Sequence, residues 1–276
     1  MTIDLKKSIG LGVAGNFAGH LEQAVNNIDF TNVEVTDINA PKGLFPFYVP
    51  SLTDHFLEVY PISSSYISLP EGGEKLKIEP EIALLCELSY EDNRVARLTP
   101  KRFTAYNDCS IQKPVQKISE KKNWGANSKG LSNQFIDIDH FSVGGIMDTY
   151  RLACYIRRSG ELRIYGVDSP LSGYSYFYGK LIDWVVAKMN NQTDSDPFEA
   201  ILPLIKDADF PQYALIGVGA TRYTDYGEQT FLEVSDETFV VVYDSTKYTT
   251  EDIEQLLTQE VYQGEGLSIL YQTVIS

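Results

Sequence analysis

The run Ile78-Glu79-Pro80-Glu81-Ile82-Ala83-Leu84-Leu85 decides how this chain is read. The apolar residues that follow Glu81 suit a β-strand, read over residues 82–88. Pro80 cannot donate to a hydrogen-bond ladder, so the run marks a strand start or an edge. Residues two apart on a strand share a face, which sets Glu79 and Glu81 side by side at its mouth. Two neighbouring carboxylates repel unless a cation lies between them or one takes up a proton. Two readings therefore stand together: solvated acids ahead of a strand, or oxygen ligands for Mg²⁺, Mn²⁺ or Ca²⁺.

Outward from this run, the same β character recurs at residues 153–156, 162–165, 214–218, 231–234 and 238–243. These stretches are short, rich in β-branched and aromatic residues, and several are bounded by Gly, Pro, Asp or Asn. Helical spacing of apolar residues predicts helices over residues 15–25 and 175–189. A third helix is read over 249–257, opened by Thr249-Thr250-Glu251-Asp252 as a cap with acids in its first turn. Residues 117–130 are polar, carry Lys117, Lys121, Lys122 and Lys129, and read as a loop. The polar stretches 190–197 and 223–229 do not separate halves of different composition. One domain over residues 1–276 is expected, of β-rich α+β class with peripheral helices.

Composition narrows the function. Hydrophobic residues make up 43% of 276, enough for a core that needs no staple. Lys and Arg number 23 against 38 Asp and Glu, a formal charge of −15. So acidic a surface repels phosphate backbones and argues against nucleic-acid binding. A small anionic substrate is not excluded, because a metal ion reverses the field locally. The three cysteines, Cys86, Cys109 and Cys154, form no CxxC pair, and a reducing, cytoplasmic setting is expected. No apolar run reaches the roughly 18 residues of a spanning helix, and no membrane association is expected. The short apolar run after Lys6-Lys7 is broken at Asn16, unlike a signal peptide.

Three further segments carry candidate chemistry. Asp108, in Tyr106-Asn107-Asp108-Cys109-Ser110, is either a third oxygen ligand or part of an Asx turn. Lys129, in Trp124-Gly125-Ala126-Asn127-Ser128-Lys129-Gly130, is either a surface lysine or, beside a metal, a stabiliser of oxyanion charge. His20 lies two residues from Glu22 and would make a general-base pair, although positions i and i+2 diverge on a helix. Gly10-Leu11-Gly12-Val13-Ala14-Gly15 matches GxGxxG. The residues before it are too polar for the buried strand that a dinucleotide site requires, and no βαβ rhythm follows.

Taken in order, these segments resemble the fumarylacetoacetate hydrolase family, in a divergent and functionally unassigned subgroup. The likeness runs from about residue 9 to about residue 221. Asn16-Phe17-Ala18-Gly19-His20-Leu21-Glu22-Gln23 is similar to the family's Asn-Tyr-x-x-His-x-x-Glu helix, with Glu22 one place early. Phe45-Pro46-Phe47-Tyr48-Val49-Pro50 is similar to its Phe-x-Lys-Pro segment, Glu79-Pro80-Glu81 to its metal-binding Glu-x-Glu strand, and Asn107-Asp108-Cys109-Ser110 to its Asn-Asp-x-Ser run. Lys129 looks like the family's active-site lysine, and the stretch from Ala214 to Thr221 like its late strand and glycine turn.

The resemblance implies a mixed β-sandwich or β-roll of the family's C-terminal-domain type, commonly a homodimer. It implies Glu79, Glu81 and Asp108 as metal ligands, with Mg²⁺ or a similar ion (Mn²⁺, Ca²⁺) as cofactor. His20, Glu22 and Lys129 would be catalytic, and Asn16, Gln112 and Thr221 would contact substrate. The implied activity is hydrolysis or lysis of a C–C bond in a small carboxylate, a 2-oxo acid or acylpyruvate-like 1,3-dicarbonyl. Non-catalytic keto-acid binding on the same fold is the alternative. The departures lie at substrate-side positions: Gln112 for an arginine, Val49 for a lysine, Gln23 for a glutamate, and Val218-Gly219-Ala220 for Thr-Gly-Thr. The metal set matches.

Overall fold

The computed structural model describes residues 3–17, 37 and 39–276. Its spine is one long hairpin, Pro80–Glu91 and Arg94–Asn107. Asp92 and Asn93 make its turn, with φ of 50° and 60°. Two consecutive residues at positive φ form the tight turn whose twist matches that of paired strands, and Asp and Asn tolerate it best among non-glycine residues.

On one flank of the hairpin Tyr213–Gly217 pairs antiparallel with Pro80–Glu91. Ile9–Ala14 then runs parallel to Tyr213–Gly217, and Gly43–Tyr48 closes that edge antiparallel. On the other flank Lys129–Leu131 pairs with the end of Arg94–Asn107, and Ile62–Ser63 pairs with Lys129–Leu131. A short strand, Ile136–Asp137, pairs with Arg94–Asn107 off this path. A second sheet has the order Glu161–Pro170, Tyr150–Arg158, Glu237–Asp244, Leu267–Ile275 and Tyr66–Ser68. A two-stranded ribbon joins Leu76–Lys77 to Ser110–Ile111.

The two sheets face each other across the main core. Ile82, Leu84, Cys86 and Leu88 alternate into it from the hairpin, and Val240 and Val242 enter from the second sheet. The intervening Phe239, Val241 and Tyr243 point the other way, into a separate cluster with Ile253 and Leu257 of the helix Thr250–Thr258. The centre of the second sheet is thus buried on both faces, and each face follows the strand period of two. Helix Tyr178–Asn191 adds Leu181, Val185 and Met189, four apart, to the main core.

This is the β-rich α+β architecture expected, with helices at the periphery. The helices predicted at 175–189 and 249–257 form as Tyr178–Asn191 and Thr250–Thr258, the latter with a complete Thr249–Asp252 capping box. Of the helix predicted at 15–25, only residues 15–17 fall among the described residues. There Gly15 is a turn at φ +73° and Phe17 forms a β-bridge with Tyr174.

Two expectations are corrected. Residues 231–234 are irregular rather than a strand: Phe231 lies under the ammonium groups of Lys75 and Lys77, so its burial needs no ladder. Residues 117–130 are not wholly a loop, for they hold the 3₁₀ turn Ile118–Lys121 and begin the strand Lys129–Leu131. The Gly10-x-Gly12 pair lies inside the strand Ile9–Ala14. A Cβ at Gly10 would stand 2.3 Å from the Phe47 ring, and one at Gly12 2.2 Å from that of Phe45. Those glycines make room for aromatic rings.

Candidate metal centre

The hairpin register builds the centre. Pro80 pairs with Asn107 and Glu81 with Tyr106, so Glu79 and Asp108 lie just past the open end, across from each other. The Asp108 N–H donates to the Glu79 carbonyl at 3.0 Å, and the Glu79 N–H to Asn107 Oδ1 at 3.2 Å. Carboxylate oxygens of Glu79, Glu81 and Asp108 all lie within 4.8 Å of one another. Glu81 and Asp108 are buried and Glu79 is half-buried. The solvated-acid and Asx-turn readings thus give way to one convergent cluster of hard oxygen donors, the set that suits a divalent cation.

Each carboxylate is held from outside the cluster. Glu81 Oε2 accepts the Gly219 N–H at 2.9 Å. Asp108 Oδ1 accepts the Tyr106 hydroxyl at 3.0 Å and faces Lys129 Nζ at 3.1 Å. Lys122 Nζ bridges Glu79 Oε2, at 2.7 Å, and Asp108 Oδ2. Lys129 also donates to the carbonyls of Asp108 at 2.8 Å and Cys109 at 2.6 Å, and Lys122 to the Asp108 carbonyl at 3.2 Å. Both lysine side chains are essentially enclosed, at 4% and 0% exposure for Lys122 and Lys129.

The titration directions follow from burial and neighbouring charge. Burial first, then the charges of Asp108 and Glu79, hold the Glu81 carboxyl well above its ordinary range, against the pull of Lys122 and the Gly219 N–H. Burial also opposes the Lys122 ammonium, yet the carboxylates of Asp108, Glu79 and Glu81 outweigh it and raise its pKa. Lys129 moves the other way, down to about 8, because burial and the Lys122 charge exceed the pull of Asp108.

Two segments supply these partners. Ile118 packs with Phe45, Phe198 and Ala14, while the Asn123 amide donates to the carbonyls of Phe47 and Val59. Both flanks of Lys122 are therefore anchored, and its ammonium stands over the Phe45 ring, 5.3 Å from the centroid. The second segment is the turn after Tyr213–Gly217. A Cβ at Gly217 would lie 2.8 Å from Glu81 Oε2 and 2.9 Å from Tyr106 Cε1, so a glycine is needed there for Glu81 to keep its place.

The remaining sequence-predicted residues surround this centre unevenly. Asn16 is buried, and its amide clasps the protein's own backbone: Nδ2 donates to the Val218 and Tyr176 carbonyls, and Oδ1 accepts the Tyr176 N–H. The Thr221 N–H donates to the Pro80 carbonyl between the two glutamates, at 3.1 Å. Gln112 folds back, its amide donating to the Ser110 carbonyl at 3.1 Å. Val49 is fully buried in the core. His20 and Glu22 lie outside the described residues.

Sequence reasoning missed Lys122 and Tyr106. Tyr106 was within reach of it, since residues two apart on a strand share a face with Asp108. Lys122 carries no local signal, being one of several lysines in a polar stretch.

The chain matches a family described as a family of unknown function (DUF5718) over residues 26–274. No curated protein matches it by sequence. Among solved structures it is similar to Cg1458 with an inhibitor, at 14% identity and TM-score 0.56, covering 98% of this chain and 77% of that one. It is also similar to 5-carboxymethyl-2-hydroxymuconate delta-isomerase from Mycobacterium smegmatis, at 16% identity and TM-score 0.55, covering 97% and 78%. A protein from Oleispira antarctica assigned as a fumarylacetoacetate isomerase/hydrolase aligns at 14% identity and TM-score 0.54, covering 97% and 93%. The fold is that of the fumarylacetoacetate hydrolase family.

Proposed function

This chain belongs to DUF5718, a family of unknown function, and we propose that it is a divalent-metal-dependent enzyme that cleaves a C–C bond in a 2-oxo acid or acylpyruvate-like 1,3-dicarbonyl. The observation that carries this reading is the convergence of Glu79, Glu81 and Asp108 within 4.8 Å, two of them buried. Three carboxylates in a low-dielectric site repel one another strongly, and a site of this kind is stable as an anion only with cations in it. Oxygen-only donors fit Mg²⁺ or Mn²⁺, with Ca²⁺ also suited.

When bound, a divalent ion supplies Lewis-acid polarisation of a substrate carbonyl. The chain's own residues do the rest. Glu79, Glu81 and Asp108 would hold the ion. Tyr106 and Lys129 fix Asp108 Oδ1, and Lys129 adds positive charge beside any oxyanion that develops at the cluster. The Gly219 N–H fixes Glu81. Proton transfer falls to His20 steered by Glu22, on the sequence reading alone. The enol and carboxylate oxygens of an acylpyruvate make it a chelating anion, which suits a cation set in an otherwise acidic protein.

The test is Mn²⁺ or Mg²⁺ titration of the chelator-stripped protein by calorimetry and melting temperature, followed by turnover of oxaloacetate and acylpyruvates. Binding in the native protein, its loss in Glu81→Gln, and metal-stimulated turnover are expected. Absence of both metal binding and a metal-dependent melting shift would remove the reading. The alternative, keto-acid binding without chemistry, draws support from Gln112 turned onto Ser110 and from Val49 buried in the core. Stabilisation by these compounds with no product formed would favour it.

A further inference from the structure

The cluster already contains a cation. Asp108 has two carboxylate oxygens. Oδ1 is engaged by Tyr106 at 3.0 Å and by Lys129 at 3.1 Å. The other, Oδ2, is taken by Lys122 Nζ. The same ammonium reaches Glu79 Oε2 at 2.7 Å and the Asp108 carbonyl at 3.2 Å, which accounts for its three N–H donors. Lys122 therefore rests on two of the three carboxylates that would hold an ion. It also occupies the one Asp108 oxygen left unused by Tyr106 and Lys129.

We propose that the Lys122 ammonium is a tethered occupant of the metal centre, and that a divalent ion binds by exchanging with it rather than beside it. This rests on the metal reading above and concerns how the same site is controlled. Formal charge favours exchange. With all three carboxyls ionised, as they would be around an ion, the cluster and both ammonium groups carry −1, and replacing one ammonium by a divalent ion brings it to neutrality. Keeping both would leave an excess positive charge packed around a doubly charged ion.

Geometry selects which lysine moves. Lys129 starts a strand and spends two donors on backbone carbonyls of Asp108 and Cys109, contacts that no ion would replace. Lys122 follows a 3₁₀ turn and directs two of its three donors at the would-be ligands themselves. It borders Glu79, the least buried of the three acids, with a side chain 16% exposed. A lysine stem is long and flexible enough to withdraw without moving the backbone. The consequence is a protein whose acids stay paired without an ion, and whose metal affinity is set by the displacement of Lys122.

The experiment uses the full chain stripped with EDTA and Mn²⁺ alone as probe. Calorimetry compares the native protein with Lys122→Met, with Glu81→Gln as the non-binding control. Lys122→Met is expected to bind Mn²⁺ at least tenfold more tightly. A second measurement needs no variant: amine acetylation of the native protein read by peptide mass spectrometry. Lys122 should be protected in EDTA and modified in saturating Mn²⁺, with Lys129 protected in both. Native protein that binds Mn²⁺ while Lys122→Met binds no tighter overturns the exchange and leaves the metal reading intact. So does a Lys122 that stays protected in Mn²⁺-saturated native protein. If neither protein takes up Mn²⁺, the metal reading fails and the exchange fails with it.

Discussion

Asp108→Asn is the sharpest probe of how the centre is held. The substitution keeps the shape of the side chain and removes one charge. Asp108 is fully buried and is the carboxylate that touches both ammonium groups and the Tyr106 hydroxyl. Without its charge, Lys129 is left enclosed with only carbonyl partners, and Lys122 keeps Glu79 alone among its two carboxylates. Removing one partner of a buried ion pair costs about 3–5 kcal/mol, because the other charge stays buried. For a chain of this size that corresponds to a fall in Tm of roughly 6–15 °C. The assay is urea unfolding and a thermal scan in EDTA, where no added ion contributes. Glu79→Gln serves as the internal comparison, since Glu79 is half-buried and its bridge to Lys122 is closer to solvent. Asp108→Asn should be the more damaging of the two. A loss below about 1 kcal/mol, the range of surface pairs, would refute the idea that Asp108 anchors the buried charges. So would a Glu79→Gln loss equal to or larger than that of Asp108→Asn.

Gly217→Ala should disturb the site from behind, since the new Cβ would meet Glu81 Oε2 at 2.8 Å and Tyr106 at 2.9 Å. A stability loss of about 1–3 kcal/mol and a drop of at least tenfold in Mn²⁺ affinity are expected by urea unfolding and calorimetry; unchanged affinity would mean that Glu81 is not a ligand. Glu199 offers a pH test away from the centre: burial, opposed by the Ser119 hydroxyl, raises its pKa from 4.5 to about 6. A raised carboxyl stabilises the fold below 4.5 and loses that contribution as pH rises through about 6. The native protein should therefore lose about 2 kcal/mol relative to Glu199→Gln between acid and neutral pH, read from paired unfolding curves. Parallel curves would show that the carboxyl is better solvated than its buried Oε2 indicates.

What the sequence revealed depended on whether the signal was local. The helix Tyr178–Asn191 was legible because its buried residues repeat every four positions. Thr249 announced its helix as a cap followed by acids, and the structure completes it as a capping box with Asp252. Glu79 and Glu81 were legible as a pair because a strand places alternate residues on one face. Lys122 was not, because what distinguishes it from Lys117 or Lys121 is its reach toward residues 14 and 43 positions away. Gly43–Tyr48 and Ile9–Ala14 escaped for another reason: every residue in both is buried, so neither shows the alternation by which a half-exposed strand is recognised.

The strand Arg94–Asn107 was hidden by the feature that makes the centre. Near the turn Tyr90 pairs with Val95, then Ser89 with Arg97, leaving Ala96 as an extra residue. Farther along Cys86 pairs with Pro100 and Leu85 with Arg102, leaving Lys101 as a second. Each bulge adds one residue to this strand alone. The core-facing positions Val95, Leu98, Phe103 and Ala105 are consequently spaced irregularly, and the period of two that identifies a strand is lost. The same two insertions set which residue stands opposite Glu79. With neither bulge it would be Tyr106, and with one it would be Asn107; with both it is Asp108. The convergence of the three acids is therefore a property of register over the whole hairpin. A local reading could find the two glutamates, but it could place Asp108 beside them only through the order of motifs, because the geometry that joins them is written in the irregularity of the strand between.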